Sequence, residues 1–415
     1  MRIFTYEKPS GASASRRVEA SPLAPDVTWA RFGNETLLFS DQPSTGDGSA
    51  SRGARIPYRH ENVTKDQLHV VVQNGRMFQY HHPTVPVIHD RGRFLLVKLD
   101  PKRARKLAES HETCYGVMPL SNEQVVFDQP EVSARAPVAF VQSLVNKVAQ
   151  SSFKSDLTKL VSFQTRNSTS PGFAEAATWA RQQLKAMGYP TRLQSVAVEN
   201  GTSRNIIADQ AGKGSAATRK VVIVSAHLDS INLKGGPLSN APGADDNGSG
   251  SAGLLEMARA LKGHRGIDDL RFILFGGEEQ GLFGSKRYVA SLSAAERSRI
   301  KAVLNMDMIG SFNSDKRSVL LEGAPLSQTL INNFSQAASI YTQLSVETSL
   351  NPFASDHVPF INAQIPAVLT IEGADNTNDN IHSAKDTLDR IDFEIAQQIL
   401  RMNVAFVATE LGKAP

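Results

Sequence analysis

The stretch from Val221 to His382 constrains this chain most, because acidic and histidine side chains recur there beside short apolar runs. Its segments read V-V-I-V-S-A-H-L-D, P-G-A-D-D-N-G-S-G, F-G-G-E-E-Q-G-L, N-M-D-M-I-G and N-I-H-S-A-K-D-T. Three of the five follow β-branched and aliphatic runs, which is typical of parallel strands buried on both faces. Ligands of such sheets collect beyond the carboxyl ends of the strands, so we expect the polar side chains to meet there.

Length and charge narrow the possible classes of protein. A chain of 415 residues favours two domains, or one large domain with an appendage. Its 45 basic and 41 acidic residues nearly balance, which argues against nucleic-acid binding through phosphate neutralisation. No apolar run approaches the roughly 18 residues that a membrane span needs. The single cysteine, Cys114, has no intrachain partner for a disulfide.

The first third of the chain predicts a small α/β domain over residues 1–130 without a catalytic constellation. Met1 to Pro25 lacks the continuous apolar core of a secretory signal, and we expect none in this chain. Two segments rich in Ser, Gly, Pro and Ala, residues 1 to about 26 and Ser40 to Arg55, are expected to be flexible. The expected strands and helix, with a hairpin at Asn74-Gly75, are Glu35–Phe39, Leu68–Val72, Arg76–Tyr80, Phe94–Leu99 and Pro101–Ser110.

His81, His82 and His89 lie in this first domain, but no Cys or carboxylate stands at ligand spacing beside them. Turn or surface histidines therefore explain them better than a metal site does.

The proline-containing segment Asp128 to Pro137 is the best candidate for a linker, and a larger domain is expected over residues 138–415. Strand patterns alternate there with helix patterns at Gly172–Met187, Ser251–Lys262, Leu326–Ala338 and Phe393–Leu411. This alternation predicts an α/β fold: a mixed, mostly parallel central sheet with helices on both faces.

Each polar segment has two readings when it is taken alone. His227 and Asp229 lie two residues apart after a strand, which suits a metal-binding imidazole held by a carboxylate and equally a buried His–Asp pair. Asp245 and Asp246 are adjacent between glycines. One could bridge two metals while the other braces the site, or both could form a solvated turn that caps a helix.

The remaining acids follow strands that should be buried. Glu278 and Glu279 come after R-F-I-L-F, where one carboxylate could bind a metal and the other take a proton from water. Asp307 follows A-V-L-N-M and needs a partner, whereas His382 alone would be a loop histidine. Together these residues match the nitrogen and oxygen ligands of a pair of zinc ions.

With these motifs the sequence resembles the bacterial dizinc aminopeptidases, leucyl-aminopeptidase-type exopeptidases related to glutaminyl cyclases and the transferrin receptor ectodomain. The matching motifs occur in family order, and include S-F-Q-T-R-N-S-T-S near the start of the larger domain and S-D-H-V-P-F before the last segment. The likeness runs from about Phe140 to the end of the chain and does not cover the first 135 residues or so.

The resemblance implies a zinc exopeptidase fold that holds two zinc ions. Asp245 would bridge the ions, His227 and Asp307 would complete one metal site, and Glu279 and His382 the other.

It also implies roles for the neighbouring residues. Glu278 would be the general base and Asp229 the partner of His227. Asp246 would sit beside the bridging ligand, often across an unusual peptide bond, with Asp356 supporting the site from the motif Ser355-Asp356-His357. Met308 and Ile381 would line an apolar pocket for the first substrate side chain. Asn247 stands where many relatives have a third aspartate, at a position that is not a ligand.

The implied activity is hydrolysis of the first peptide bond of peptides and proteins, with a preference for apolar first residues. A carboxypeptidase, a one-zinc cyclase and a metal-free binding module are the alternatives. The resemblance also implies a secreted or periplasmic enzyme. The first domain would then be an inhibitory propeptide, an interaction domain or a lid.

Overall fold

The computed structural model describes residues 2–7, 28–40, 55–60, 63–110, 114–133, 135–199 and 201–413. The chain divides into two compact units. The N-terminal unit contains Met1–Glu131 together with Glu347–Phe353, and the C-terminal unit contains Val132–Val346 and Ala354–Pro415. Among the described residues, no helix combines the length and apolarity that a membrane crossing demands.

The described part of the N-terminal unit contains two sheets. One has the order β4-β1-β3-β2-β9 and the other β6-β7-β5-β8. Val71 of β5, Leu95 of β7 and Val117 of β8 pack with Phe78 and Ala104 in a buried cluster. The strands and helices are β1 (Arg2–Glu7), β2 (Thr28–Phe32), β3 (Glu35–Ser40), β4 (Arg55–His60), β5 (Leu68–Gln73), α1 (Met77–His81), β6 (Val87–Arg91), β7 (Phe94–Lys98), α2 (Pro101–Ala108), β8 (Tyr115–Pro119) and β9 (Gln124–Phe127).

Two expectations for this unit were wrong. The segment after Asn74-Gly75 is helix α1 and not the second strand of a hairpin, because β7 and β8 already flank β5 on both sides. Residues 2–7 form strand β1, which pairs with β3 and β4 and buries Ile3. The flexibility expected for residues 8–27 and 41–54 lies outside the described residues.

The C-terminal unit is built on an eight-stranded sheet of order β10-β11-β13-β12-β14-β17-β15-β16. The four central strands, β13, β12, β14 and β17, are parallel to one another, whereas β10–β11, β11–β13 and β15–β17 pair antiparallel. The strands are β10 (Thr191–Val198), β11 (Gly201–Gln210), β12 (Val221–His227), β13 (Asp269–Phe275), β14 (Ile300–Met306), β15 (Ser318–Glu322), β16 (Ser345–Ser349) and β17 (Ala367–Glu372).

Helices cover both faces of this sheet, as the alternation of strand and helix patterns predicts. On one face Ile223 and Val303 pack with Tyr288 and Phe360, and on the other Phe272 contacts Tyr189, whose hydroxyl donates to Ala258. The helices are α3 (Ala139–Val145), α4 (Gln150–Val161), α5 (Pro171–Ala186), α6 (Gly250–Leu261), α7 (Phe283–Ala290), α8 (Ala294–Arg299), α9 (Gln328–Tyr341), α10 (His357–Asn362) and α11 (Phe393–Leu411).

Local sequence explains where the helices begin. Ser170 accepts the Phe173 N–H and precedes Pro171 at the start of α5, while Asp392 accepts two N–H groups at the start of α11.

All seven residues of β12 are buried, so each valine or isoleucine side chain there contributes about 1.5 to 3 kcal/mol by leaving water. The predicted fold class, a mixed and mostly parallel sheet with flanking helices and a smaller N-terminal α/β unit, is confirmed.

Candidate metal centre

Polar side chains meet where the parallel strands of the C-terminal unit end, as the sequence predicts. His227 is the last residue of β12, Glu278 and Glu279 follow β13, and Asp307 follows β14. His382 enters from the loop before α11, with its backbone in the left-handed region at φ 54°. Neighbouring parallel strands end at one edge of the sheet, which is why residues as far apart as positions 227 and 382 converge.

The carboxylate of Asp246 lies between the two imidazoles. One of its oxygens is 3.3 Å from His227 Nε2, and the other is 2.9 Å from His382 Nε2. Each histidine also faces a second acid: Asp307 Oδ1 is 3.2 Å from His227 Nε2, and Glu279 Oε2 is 3.1 Å from His382 Nε2. The arrangement forms two half-sites that share one carboxylate.

Asp245, the residue that the resemblance places at the bridge, is directed elsewhere. Its Oδ1 accepts the Gly310 N–H at 2.9 Å, and its Oδ2 accepts the hydroxyl of Ser311 at 2.7 Å and the amide of Asn378 at 2.8 Å. Successive side chains leave the backbone in different directions, so only one of the two adjacent aspartates can face the histidines. In this structure it is Asp246, and the expectation for Asp245 is corrected accordingly. The peptide bond between Asp246 and Asn247 is cis.

Asp229 orients the segment that carries both glutamates. Its two carboxylate oxygens accept the N–H groups of Glu278 and Glu279 at 3.3 and 3.2 Å. Its Oδ1 lies 3.7 Å from His227 Nδ1, and its backbone oxygen lies 3.2 Å from the same nitrogen. Asp229 therefore contacts both the histidine and the turn after β13.

Glu278 borders the half-site of His227, with Oε2 3.9 Å from Nε2 of that histidine. Burial raises the pKa of Glu278 well above its ordinary value, although the charge of His227 opposes the rise. A buried carboxylate with a raised pKa beside a ligand cluster is suited to accept and return a proton.

Of the S-D-H motif, Ser355 contacts Asp307. Ser355 donates its hydroxyl to Asp307 Oδ2 at 2.6 Å and accepts the Asn305 amide at 2.9 Å. Asp356 is fully buried, and burial raises its pKa to about 7. His357 lies with Nε2 3.4 Å from Glu322 Oε1, so it contacts an acid outside the cluster.

The two residues predicted to line an apolar pocket adjoin the cluster along the chain. Met308 follows Asp307, is nearly buried and has a positive φ of 49°. Ile381 precedes His382 and is partly buried. A shared pocket formed by these side chains stays a prediction.

Three buried charged residues near the site had no role in the sequence analysis. Glu372 ends the apolar strand β17, accepts the Ser311 N–H and the Asn313 amide, and faces Asp245. Burial and the charge of Asp245 raise the pKa of Glu372 well above its ordinary value. Arg166 and Asp386 bind the turn that precedes Asp246. Glu372 could have been found from the sequence in the same way as Asp307, because each is an acid at the end of an apolar run.

The cluster has the composition that divalent cations require. Four carboxylates, those of Asp246, Glu278, Glu279 and Asp307, surround two imidazoles in a buried site. Burial raises the pKa of Glu279 to about 7, and Glu279 Oε1 is buried without a hydrogen-bond partner. Excess buried carboxylate of this kind is stabilised by bound cations, and His nitrogen with carboxylate oxygen is the donor set of zinc. The residues therefore fit a zinc centre.

Proteins of known sequence resemble this chain. Residues 205–407 match the model of Peptidase family M28. Leupeptin-inactivating enzyme 1 of Streptomyces exfoliatus is 36% identical over 208 residues, which cover 50% of this chain and 44% of that protein. A probable leucine aminopeptidase of Trichophyton verrucosum strain HKI 0517 is 31% identical over 288 residues, covering 66% of this chain and 77% of that protein.

Solved structures share the fold. The LapA aminopeptidase of Legionella pneumophila has a TM-score of 0.60 at 19% identity and covers 84% of this chain and 99% of its own. BSAP, a zinc aminopeptidase from Bacillus subtilis, has a TM-score of 0.58 at 19% identity. The match covers 64% of this chain and 96% of that structure.

The fold and the cluster thus define a peptidase with the zinc aminopeptidase fold. The chain belongs to Peptidase family M28, which confirms the resemblance stated from the motifs. The predicted enzyme class, a metallo-aminopeptidase, agrees with the names of these relatives.

Proposed function

We propose that this member of Peptidase family M28 is an aminopeptidase that uses two zinc ions to hydrolyse the first peptide bond of its substrate. The observation that carries the proposal is the position of Asp246, whose two oxygens lie 3.3 and 2.9 Å from Nε2 of His227 and His382. A carboxylate shared by two imidazole half-sites is the ligand arrangement that a pair of metal ions requires.

The proposed ligands follow from the two half-sites. His227 and Asp307 would hold one ion, His382 and Glu279 would hold the other, and Asp246, which lies between the two histidines, would be shared by both. This assignment keeps four of the five ligands that the resemblance implied and moves the bridging role from Asp245 to Asp246. Asp229 and Ser355 orient the ligands, because they bind the Glu279 N–H and the Asp307 carboxylate.

Zinc ions bound in this site would lower the pKa of a nucleophilic water and polarise the substrate carbonyl. Glu278 is the general base. Its carboxylate takes the proton from the attacking water and later returns it to the leaving amine. Asp229 fixes the direction of Glu278 by accepting its backbone N–H at 3.3 Å. The peptide bond is cleaved, and the water supplies one proton and one hydroxyl to the two products.

The substrate is a peptide with a free amino terminus and an apolar first residue. Support for the apolar preference comes from Met308 and Ile381, which directly adjoin the ligands Asp307 and His382 along the chain. A carboxypeptidase on the same fold would instead require a free carboxyl terminus.

The test combines metal content with turnover. Purified protein is analysed for zinc and assayed on leucine anilide, on N-acetyl-leucine anilide and on a peptide blocked at its amino terminus. We expect two zinc ions per chain, turnover of the free-amine substrate alone, loss of turnover after chelation and recovery with zinc. Zinc-independent turnover, or cleavage of the blocked peptide from its carboxyl end, would refute the proposal.

A secreted or periplasmic location is also proposed, and it rests on the resemblance. Cell fractionation of the producing organism tests it directly. Recovery of the protein with the cytoplasmic fraction alone would contradict it.

A further inference from the structure

Two buried charged side chains bind the turn that carries Asp246 through different backbone groups. From one side, the carboxylate of Asp386 accepts two successive N–H groups, that of Asp245 at 2.9 Å and that of Asp246 at 3.0 Å. Asp386 is nearly buried, and it lies four residues after His382 in the same loop. The loop that supplies one imidazole therefore also holds the backbone of the carboxylate that faces it.

Arg166 binds carbonyl groups of the same turn. Its Nη1 donates to Pro242 O at 2.6 Å and its Nη2 to Gly243 O at 2.8 Å. The guanidinium continues to two other segments, because Nε donates to Leu228 O at 2.8 Å and Nη1 to Leu160 O at 3.1 Å. Leu228 directly follows His227, so a single side chain joins the histidine's strand end to the turn before Asp246.

The fit around this guanidinium is close. Gly243 has a φ of 52°, and a Cβ at that position would lie 2.9 Å from Arg166 Nη2 and 2.5 Å from Ser230 Cβ. Arg166 is completely buried, and within the described part of the chain its guanidinium donates to backbone carbonyls and not to a carboxylate. A buried charge is costly without compensation, and the nearby anions that compensate this one include Asp386, Asp229 and Asp246.

We propose that Arg166 and Asp386 form a clamp that sets the position of Asp246 between His227 and His382 before metal binds. Both are positioning residues, and the inference rests on the bridging role of Asp246 in the proposed function. The planar fork of Arg166 reaches four carbonyl oxygens at once, which a lysine ammonium with three donors cannot do. The carboxylate of Asp386 accepts two parallel N–H groups, whereas an asparagine would place an N–H₂ donor against one of them.

The variants that test the clamp are Asp386→Asn, Arg166→Met and Arg166→Lys. Asp156→Asn is the matched control, because Asp156 is a buried acid whose carboxylate binds Arg259 of α6 at 2.8 Å. Three quantities are measured on the full chain: the zinc dissociation constant by competition with a chelator, the visible spectrum of the cobalt-substituted protein, and the urea unfolding of the metal-free protein.

We expect Asp386→Asn and Arg166→Met to weaken zinc binding by about 10- to 100-fold and to change the cobalt spectrum. Their metal-free unfolding free energy should fall no further than that of Asp156→Asn. Arg166→Lys should give an intermediate zinc affinity, because it keeps the charge and only part of the hydrogen bonding.

The clamp is refuted if the wild type binds two zinc ions and Asp386→Asn binds them with the same dissociation constants as the control variant Asp156→Asn. It is equally refuted if the loss of zinc affinity only parallels a loss of folding stability. Should Arg166→Met fail to fold, Asp386→Asn and Arg166→Lys decide the matter. Absence of zinc binding by wild type would instead overturn the proposed function, on which the clamp depends.

Discussion

Asp245 and Asp246 are adjacent in the chain, but their carboxylates bind separate sets of partners. Asp246 lies within 3.3 Å of the imidazoles of His227 and His382. Asp245 accepts hydrogen bonds from Gly310 and Ser311 instead, at 2.9 and 2.7 Å. Two residues of one chemical type thus have different tasks, one toward the metal centre and one toward the loop after β14.

This division predicts opposite outcomes for two equivalent substitutions. Asp246→Asn should reduce the zinc content from two ions to at most one, because the shared ligand loses its charge. Asp245→Asn should keep both ions and lower the free energy of unfolding by about 1 to 3 kcal/mol, because an amide nitrogen would replace a buried acceptor. Zinc analysis and urea unfolding measure the two effects. Loss of zinc from Asp245→Asn alone would reverse the assignment.

Replacement of the proposed base should separate chemistry from metal binding. Glu278→Gln keeps the shape of the side chain but cannot take a proton, so kcat should fall by about 10²- to 10⁴-fold. The zinc content should stay at the wild-type value. Steady-state kinetics with parallel metal analysis measure both, and Glu296→Gln on the exposed helix α8 is the matched control. Wild-type turnover by Glu278→Gln would exclude it as the base.

The hydroxyl of Ser355 should affect one half-site. It donates to Asp307 Oδ2 at 2.6 Å, and hydrogen bonds to ligating carboxylates hold the ligand in its orientation. Ser355→Ala should weaken zinc binding by about 10-fold at the site of His227 and Asp307. Stepwise zinc titration measures this change. Ser335→Ala is the control, because Ser335 is equally buried on α9 and bonds only to Ile331 O. An equal effect in both variants would contradict the prediction.

His89 should make the N-terminal unit sensitive to acid. Burial, helped by the charge of Arg91, lowers the pKa of His89 to about 4, although the Glu35 carboxylate, 3.1 Å from His89 Nε2, favours the charged imidazole. The unfolded chain has a histidine pKa of about 6.5, so it binds more protons than the folded state between these values. The contribution of His89 to stability is therefore complete above about pH 6.5 and declines as the pH falls toward 4, by at most about 3 kcal/mol.

His89→Gln removes this ionisation and should flatten the dependence on pH over that range. Trp29 of β2 reports on the N-terminal unit when Trp179, the other tryptophan, is replaced by phenylalanine. Urea unfolding followed by this fluorescence at pH 7.5 and 4.5 measures the difference, with His81→Gln as the exposed control. The same pH dependence in His89→Gln and wild type would show that other groups cause it.

The sequence was sufficient for the sheet and for the location of the site. Uninterrupted aliphatic runs such as V-V-I-V before His227 and A-V-L-N-M before Asp307 specify buried parallel strands, whose carboxyl ends lie at one edge. The helices that cover the sheet were also predicted from the sequence, because their apolar residues recur at helical spacing. In the N-terminal unit the same reasoning failed at α1, where the neighbours of β5 decide whether another strand can pair.

The tertiary structure decided which of two adjacent carboxylates faces the histidines, because that depends on the path of one turn. Two residues distant in sequence form hydrogen bonds with that turn: Asp386 accepts the Asp246 N–H, and Arg166 donates to Gly243 O. The hydrogen bonds of Arg166 could not be derived from composition or spacing, since they run to backbone carbonyls of the nearby Leu160 and of the distant Leu228, Pro242 and Gly243. Residue types and periodicity thus determined where polar groups gather, whereas the direction of each side chain was determined by contacts between residues distant in sequence.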